Sequence, residues 1–424
     1  MQALRASLLL ACAVAGPAAA RGLPAAAIPD SVGVNIHFVR GGERDLDLIA
    51  AAGIKLVRID FTWAETERYR GVYDWTAYDE LAAQIIQRGM RPLLILDYSN
   101  PLYEDVVDKL HLKVWPYSET MSPRQPASVA AFANWAAEAV RHFRKADPIW
   151  EIWNEPNIQF WKPQPDVAAY SRLALAACRQ MRQVDSAATI LAPATSGFPW
   201  DFLERFFQSG ALDCIDGVSV HPYRGANLPP ESVADDYRRL RAMIDRHAAP
   251  ARQGRIPIVS SEWGYSTEVS ALKPEEQAAF VVRQSLFNLL SGVPVSVWYD
   301  WKNDGPDPYN GEHNFGLVDT ALRAKPAYRA VQTMTRELAG YRLVRRLDGG
   351  SAQDYLLLFG NAAGQGKIVA WTLGRPHEAQ IPAMPPPRPA QMVMTDGNGL
   401  RSTLKLDGDQ IAIPLAAAPV YVAH

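Results

Sequence analysis

Cysteine is scarce in this 424-residue chain, which has only Cys12, Cys178 and Cys214. That scarcity excludes a disulfide-dense scaffold and a cysteine-ligated metal cluster. Histidine is also sparse at eight residues, with no His-x-x-x-His or comparable ligand spacing, so neither a metal site nor a cofactor is expected. Neither sign of charge prevails, because 43 Lys and Arg stand against 45 Asp and Glu, a net charge of −2. No broad basic surface for nucleic acid and no acidic tail is expected at that balance. Beyond the N-terminus, no segment approaches the roughly 20 apolar residues that span a bilayer. What the chain does have is 48% hydrophobic residues, 12 Trp and 16 Tyr. That is enough to bury a large core and to leave flat rings for stacking.

The N-terminus reads as an export signal over residues 1–20. Arg5 supplies the positive start, 8–14 the apolar centre, and Ala18-Ala19-Ala20 before Arg21 a small-residue cleavage site. The mature chain is expected to begin near residue 21, in the periplasm or outside the cell. Leu9-Leu10-Ala11-Cys12 partly resembles a lipoprotein box, which gives lipid attachment at Cys12, and so membrane association, as an alternative. Cys178 and Cys214 are then left to pair in an oxidising compartment or to stay as buried thiols. Sequence leaves that open.

Short β-rich apolar runs alternate with helical patterns, the signature of parallel βα units. The strand runs are 32–38, 56–61, 92–97, 150–153, 189–192, 217–220, 257–260 and 295–299. Amphipathic stretches such as 75–88, 126–143, 166–182, 233–247 and 274–290 lie between them. An open doubly wound sheet alternates in the same way. The count of eight, and polar residues at many different strand ends, favour an α/β (β/α)8 TIM barrel over residues 28–338. After a helix at 326–338 the pattern changes to short runs at 355–359, 367–373, 391–395 and 410–414, with turns such as Asp396-Gly397-Asn398-Gly399. These predict a small C-terminal antiparallel β domain, β-sandwich-like, over 341–424. A proline-rich stretch at 385–389 reads as a stiff loop. The whole is expected to be a monomer.

Two runs end in the same way. Ile149-Trp150-Glu151-Ile152-Trp153-Asn154-Glu155-Pro156-Asn157 stops at Asn-Glu-Pro, and Ile256-Pro257-Ile258-Val259-Ser260-Ser261-Glu262-Trp263-Gly264 at Glu-Trp-Gly. Side chains leaving the C-terminal edge of a barrel converge on one pocket, so Glu155 and Glu262 can face each other despite their distance in sequence. Two facing carboxyls suit glycosidic cleavage: about 5 to 5.5 Å apart for retention, about 6.5 to 9.5 Å for inversion. Glu155 is assigned as acid/base and Glu262 as nucleophile. Solvated ion pairs at two strand ends are the bland alternative.

The segments 150–157, His221-Pro222-Tyr223 and 261–264 resemble those of clan A glycoside hydrolases, most closely family 39 and within it the bacterial enzymes of exopolysaccharide gene clusters. The resemblance covers residues 30–338. It implies an acid/base after the fourth strand and a nucleophile on the seventh, a carbohydrate substrate and no cofactor. Since family 39 also includes β-xylosidases and α-iduronidases, the resemblance leaves the sugar open.

Further site residues follow. Arg58 is a charge inside the apolar run 56–61 and must be paired if buried. The resemblance implies that it holds the nucleophile; a structural pair with Asp60 or Glu151 is the rival. Asn154 is placed to donate to the sugar 2-hydroxyl. His221 and Tyr223 share a face two residues apart, and the resemblance sets them beside the nucleophile; a satisfied core histidine is the alternative. His37 and Asp97 end the first and third strands and are candidates for sugar binding. Trp298, at the eighth strand's end, is expected to floor a sugar subsite unless it only packs. The long connection 98–124 holds Tyr103, Trp115 and Tyr117, and Trp161, Trp200 and Trp301 follow other strands. Each ring alone can be packing, but together they suggest an open cleft and endo action on a polysaccharide. Exo action on short oligosaccharides, a non-catalytic carbohydrate-binding barrel and a metal-dependent hydrolase or isomerase are the competing readings.

Overall fold

The computed structural model describes residues 22–106, 120–382, 391–408 and 410–423. The export pattern with Cys12, the rings of Trp115 and Tyr117, and the 385–389 stretch lie outside the described residues.

Eight parallel strands close a barrel in chain order: β1 (Val32–Asn35), β2 (Leu56–Thr62), β3 (Arg91–Asp97), β4 (Ile149–Ile152), β5 (Thr189–Ser196), β6 (Gly217–His221), β7 (Ile258–Trp263) and β8 (Ser296–Trp298), with β8 pairing back onto β1. Side chains alternate across each strand. The outward set, including Val57, Ile59, Phe61, Leu94, Leu96, Trp150 and Ile152, joins the large core against the surrounding helices. The inward set begins with a separate apolar floor of Leu56, Leu93, Ile149, Leu191, Val259, Val295 and Val297. Glycine completes that floor where strands crowd: a Cβ on Gly33 would lie 2.9 Å from Val297 and 3.0 Å from Leu56. Moving up the same strands, the inward positions turn polar.

The helices start where local chemistry permits. Proline occupies the first turn of Pro126–Phe143, Pro274–Leu290 and Pro326–Leu338, where its missing N–H costs no bond. Asp166 caps Val167–Val184 by accepting from the amides of Ala168 and Ala169 at 3.0 Å. Glu43–Ala51 and Trp200–Gln208 also form helices. Cys178 and Cys214 form a disulfide with Cα atoms 6.2 Å apart, which answers the question sequence left open. Among the described residues, no helix is long and apolar enough to cross a membrane.

Among the described residues, the C-terminal region is one antiparallel sheet of eight strands: β9 (Tyr341–Leu347), β10 (Asp354–Asn361), β11 (Gly366–Thr372), β12 (His377–Pro382), β13 (Gln391–Thr395), β14 (Arg401–Asp407), β15 (Gln410–Leu415) and β16 (Val420–Ala423), ordered β12-β15-β14-β13-β16-β11-β10-β9. Four of these strands, β9, β12, β14 and β16, went unpredicted. Apolar residues from both ends of that order, such as Leu356, Ile368, Ile381 and Ile413, share one core, so the sheet curls over itself. It is fastened to the barrel by buried polar contacts. Trp371 Nε1 donates at 2.8 Å to Glu231, which Arg283 holds from the barrel side at 2.8 and 2.6 Å, and Lys367 reaches Glu337 at 2.8 Å.

Candidate active site

Arg58 organises the mouth of the barrel. It stands one inward position above Leu56 on β2, 1% exposed, so its five N–H groups must all be answered within the protein. Nε donates to Glu151 at 2.9 Å, Nη1 to Asn35 at 2.9 Å and to Glu262 at 2.5 Å, and Nη2 to Asn154 at 2.9 Å. Burial opposes the charge, but Glu151 and Glu262 more than restore it, so the guanidinium stays protonated. The proposed hold on Glu262 and the rival pair with Glu151 are thus both present.

After β4 the chain turns sharply. Trp153 and Glu155 have φ of +70° and +49°, a left-handed conformation that non-glycine residues rarely adopt and that tends to mark functional sites. The turn is pinned by the Trp153 amide on Leu96 O at 3.0 Å and the Glu155 amide on Ala194 O at 2.9 Å. Asn154 donates to the Tyr98 hydroxyl at 3.0 Å, and Glu155 Oε1 lies 2.9 Å from His221 Nδ1.

Glu262, near the end of β7, accepts from Tyr223 at 2.8 Å and lies 3.8 Å from His221 Nδ1. Burial by itself pushes its carboxyl up. The charges of His221 and Arg58 and the hydrogen bonds from Tyr223 and Arg58 overcome this and hold it below the usual carboxylate range. One oxygen of Glu155 and one of Glu262 lie within 4.8 Å of each other and of a His221 nitrogen. Burial, then the nearby Glu262, keep Tyr223 protonated and able to donate.

These groups line a cavity of about 870 Å³. Ile158, Gln159 and Phe160, from the segment after β4, and Asp304, Asn310, Glu312 and Phe315, from the segment after β8, also line it. His37 stands at its rim, 3.5 Å from Asp300. Burial works against charge on His37, but the hydrogen bond and charge of Asp300 carry it up to about 9.

The structure therefore brings His37, Arg58, Asn154, Glu155, Tyr223 and Glu262 to one cavity, with His221 buried directly behind the two glutamates. Asp97, Trp298 and Trp161 do not line it. Asp97 is fully buried on the strand next to that of Asp60. Trp298 turns into the protein, its Nε1 on Phe315 O at 3.2 Å, and Trp161 packs 5.0 Å from Trp153. Trp301 is likewise buried, on Asp45, and Tyr103 stacks on Trp63. Trp115 lies outside the described residues. Asn35, Asp60, Tyr98, Tyr299 and Glu312 line the cavity without having been singled out. The alternation along β2 pointed to Asp60, which shares a face with Arg58.

Two carboxylate and histidine groups have ligand atoms within 4.8 Å of one another among the described residues: Glu155/His221/Glu262 and His37/Asp300/Asp304. Both already serve other contacts. Glu262 accepts from Arg58 and Tyr223, and His37 lies 3.5 Å from Asp300.

A family model described as cellulase (glycosyl hydrolase family 5) matches residues 26–305. A β-xylosidase of Caldicellulosiruptor saccharolyticus is 23% identical over 294 residues, 62% of this chain and 57% of the relative. One from Geobacillus stearothermophilus is 26% identical over 149 residues, 31% of this chain and 28% of the relative. The chain thus spans less than two thirds of the length of either relative. Among solved structures, a family 39 glycoside hydrolase from Bacteroides cellulosilyticus WH2 superposes with a TM-score of 0.77 at 23% identity, over 93% of this chain and 81% of that one. A monomeric β-xylosidase from Caulobacter crescentus CB15 gives 0.66 at 18%, over 95% and 99%. At these identities the structural likeness establishes the fold.

Proposed function

Because the chain belongs to the cellulase (glycosyl hydrolase family 5) family, a clan A barrel with family 39 neighbours, we propose that it is a retaining glycoside hydrolase. Glu262 is the nucleophile and Glu155 the acid/base. The observation that carries this reading is the approach of one carboxylate oxygen of each to within 4.8 Å, which fits the carboxyl separation of about 5 to 5.5 Å used for retention better than the about 6.5 to 9.5 Å used for inversion.

Each neighbour then has a task. Arg58 and Tyr223 keep Glu262 ionised and aimed, so that it attacks the anomeric carbon as Glu155 protonates the departing oxygen. With the leaving group gone, Glu155 takes a proton from water, which opens the glycosyl-enzyme ester. Asn154, fixed between Arg58 and Tyr98, offers its amide toward the sugar 2-hydroxyl, a bond that strengthens in the transition state.

The substrate is an extracellular bacterial polysaccharide cut within its length by a monomeric enzyme. Support comes from the resemblance of the motifs and from the cavity, whose about 870 Å³ is near the top of the roughly 300 to 1,000 Å³ range of small-ligand sites. The protein works in the periplasm or outside the cell. The signal pattern at 1–20 and the disulfide support that location. Digestion of a panel of exopolysaccharides, xylo-oligosaccharides and aryl glycosides, read by product size, tests the substrate. Internal fragments are expected; single sugars released from chain ends would indicate exo action, and binding without cleavage a non-catalytic barrel.

A further inference from the structure

Asp97 is a buried acid that the proposed reaction does not use. It is 0% exposed, and neither of its carboxylate oxygens meets an N–H or O–H donor. An ionised carboxylate left in that condition is costly. Its setting explains how it persists. In the β2–β3 ladder, Thr62 stands opposite Asp97 and Asp60 opposite Ile95, so Asp60 and Asp97 point to the same inner side of the barrel. The two residues sit on neighbouring strands one inward step apart, Asp60 is the charged group that acts most strongly on Asp97, and Asp60 lines the cavity whereas Asp97 is buried without lining it. Two neighbouring carboxyls cannot both ionise cheaply, and one shared proton satisfies both.

We propose that Asp97 is a neutral carboxylic acid that donates its proton to Asp60, and so holds Asp60 as a singly charged acceptor for hydroxyls of the sugar in the cavity. Asp60 is the sugar-binding group, and Asp97 a positioning residue that acts through it. The surroundings favour this state. Arg58 is the neighbouring cation, and its five N–H groups are directed at Glu151, Glu262, Asn35, Asn154 and His221. Besides Asp60 and Arg58 from β2, Glu151 from β4 acts electrostatically on Asp97, and Asp97 in turn on the hydroxyls of Tyr98, which follows β3, and of Tyr78 from Thr76–Gln87. Burial first, then Asp60, push its carboxyl well above the ordinary range, against the opposing pull of Arg58. The role of Asp60 rests on the hydrolase reading; the proton on Asp97 does not.

The proton is tested without substrate. In full-length protein carrying ¹³C-labelled aspartate carboxyls, one aspartate resonance should remain at its protonated position at pH 8, and D97N should remove it. Ionisation of every aspartate by pH 8, or survival of that resonance in D97N, would overturn the proposal. The consequence is tested with whichever panel glycan is cleaved. Since an amide still donates to Asp60, D97N should keep kcat/KM within about threefold. D97L should raise KM about tenfold with little change in kcat, as expected for losing one hydrogen bond to a charged group. D60N should act on KM in the same way. KM of the wild type should rise as alkaline pH ionises Asp97, and stay flat in D97N. A D97N variant as impaired as D97L, or sharing the alkaline rise, would contradict the role. Should D97L fail to fold, the D97N profile alone decides.

Discussion

The floor and the mouth of the barrel are built by the same strands, yet share almost no chemistry. Along β2 the inward residues run Leu56, Arg58, Asp60; along β3 Leu93, Ile95, Asp97; along β4 Ile149 and Glu151. Each inward step rises about 6.6 Å, two residues of extended strand. Within two steps a dry apolar plug gives way to a network in which Arg58 answers two carboxylates and two amides. The floor contributes stability by excluding water. Desolvated charge costs stability, and it is kept at the mouth because that is where chemistry needs it.

This comparison can be broken most severely at the mouth. Glu262→Gln and Glu155→Gln should each lower kcat by at least about 10² to 10⁴, the worth of acid/base catalysis alone, with the melting temperature little changed. Loss of folding in both variants would erase the distinction between the two ends. Arg58→Met is the instructive mixture. Removing the Arg58 guanidinium strands Glu151 and Glu262 in the interior and should cost about 3 to 5 kcal/mol by denaturant titration, as well as activity. At the floor, Leu93→Ala should cost about 2 to 5 kcal/mol while turnover per folded molecule stays within about twofold of the parent. A large fall in turnover there would mean that the floor transmits strain to the site.

Two smaller effects sharpen the picture away from the axis. Replacing Cys178 and Cys214 together by Ser should lower stability by about 2 to 4 kcal/mol without altering kcat. At the rim, His37 gains from its pairing while burial costs Asp300, lifting that carboxyl to about 7. The contribution of a raised histidine is complete below its unfolded value of 6.5 and is lost as pH rises through about 9. Melting temperature should therefore fall between pH 7 and 9, and His37→Gln should remove part of that slope.

Periodicity made the barrel legible. Short apolar runs mark the strands, and Pro126–Phe143, Pro274–Leu290 and Pro326–Leu338 announce themselves by proline at the first turn. The strand ends were harder. β5 continues to Ser196 and β7 to Trp263 because polar residues there turn into the cavity, which breaks the apolar pattern used to find strands. β14, Arg401–Asp407, alternates polar residues with Leu404 and Leu406 and carries too little apolar character to stand out from a loop. In the site, Glu155, Glu262 and Arg58 were readable because a charge at the end of, or within, a buried run demands a partner. Trp161 and Trp298 were not, because sequence does not tell a ring that stacks on sugar from one that fills core. Asp60 was legible only through its shared face with Arg58.

The anomeric configuration of the first product, followed by proton NMR on a substrate the enzyme cleaves, tests most directly whether Glu155 and Glu262 act on the same bond from opposite sides. Retention is expected in the wild type, with azide restoring turnover of Glu262→Ala to give a glycosyl azide of the opposite configuration. A wild-type product of inverted configuration would contradict the double displacement and the nucleophilic role of Glu262.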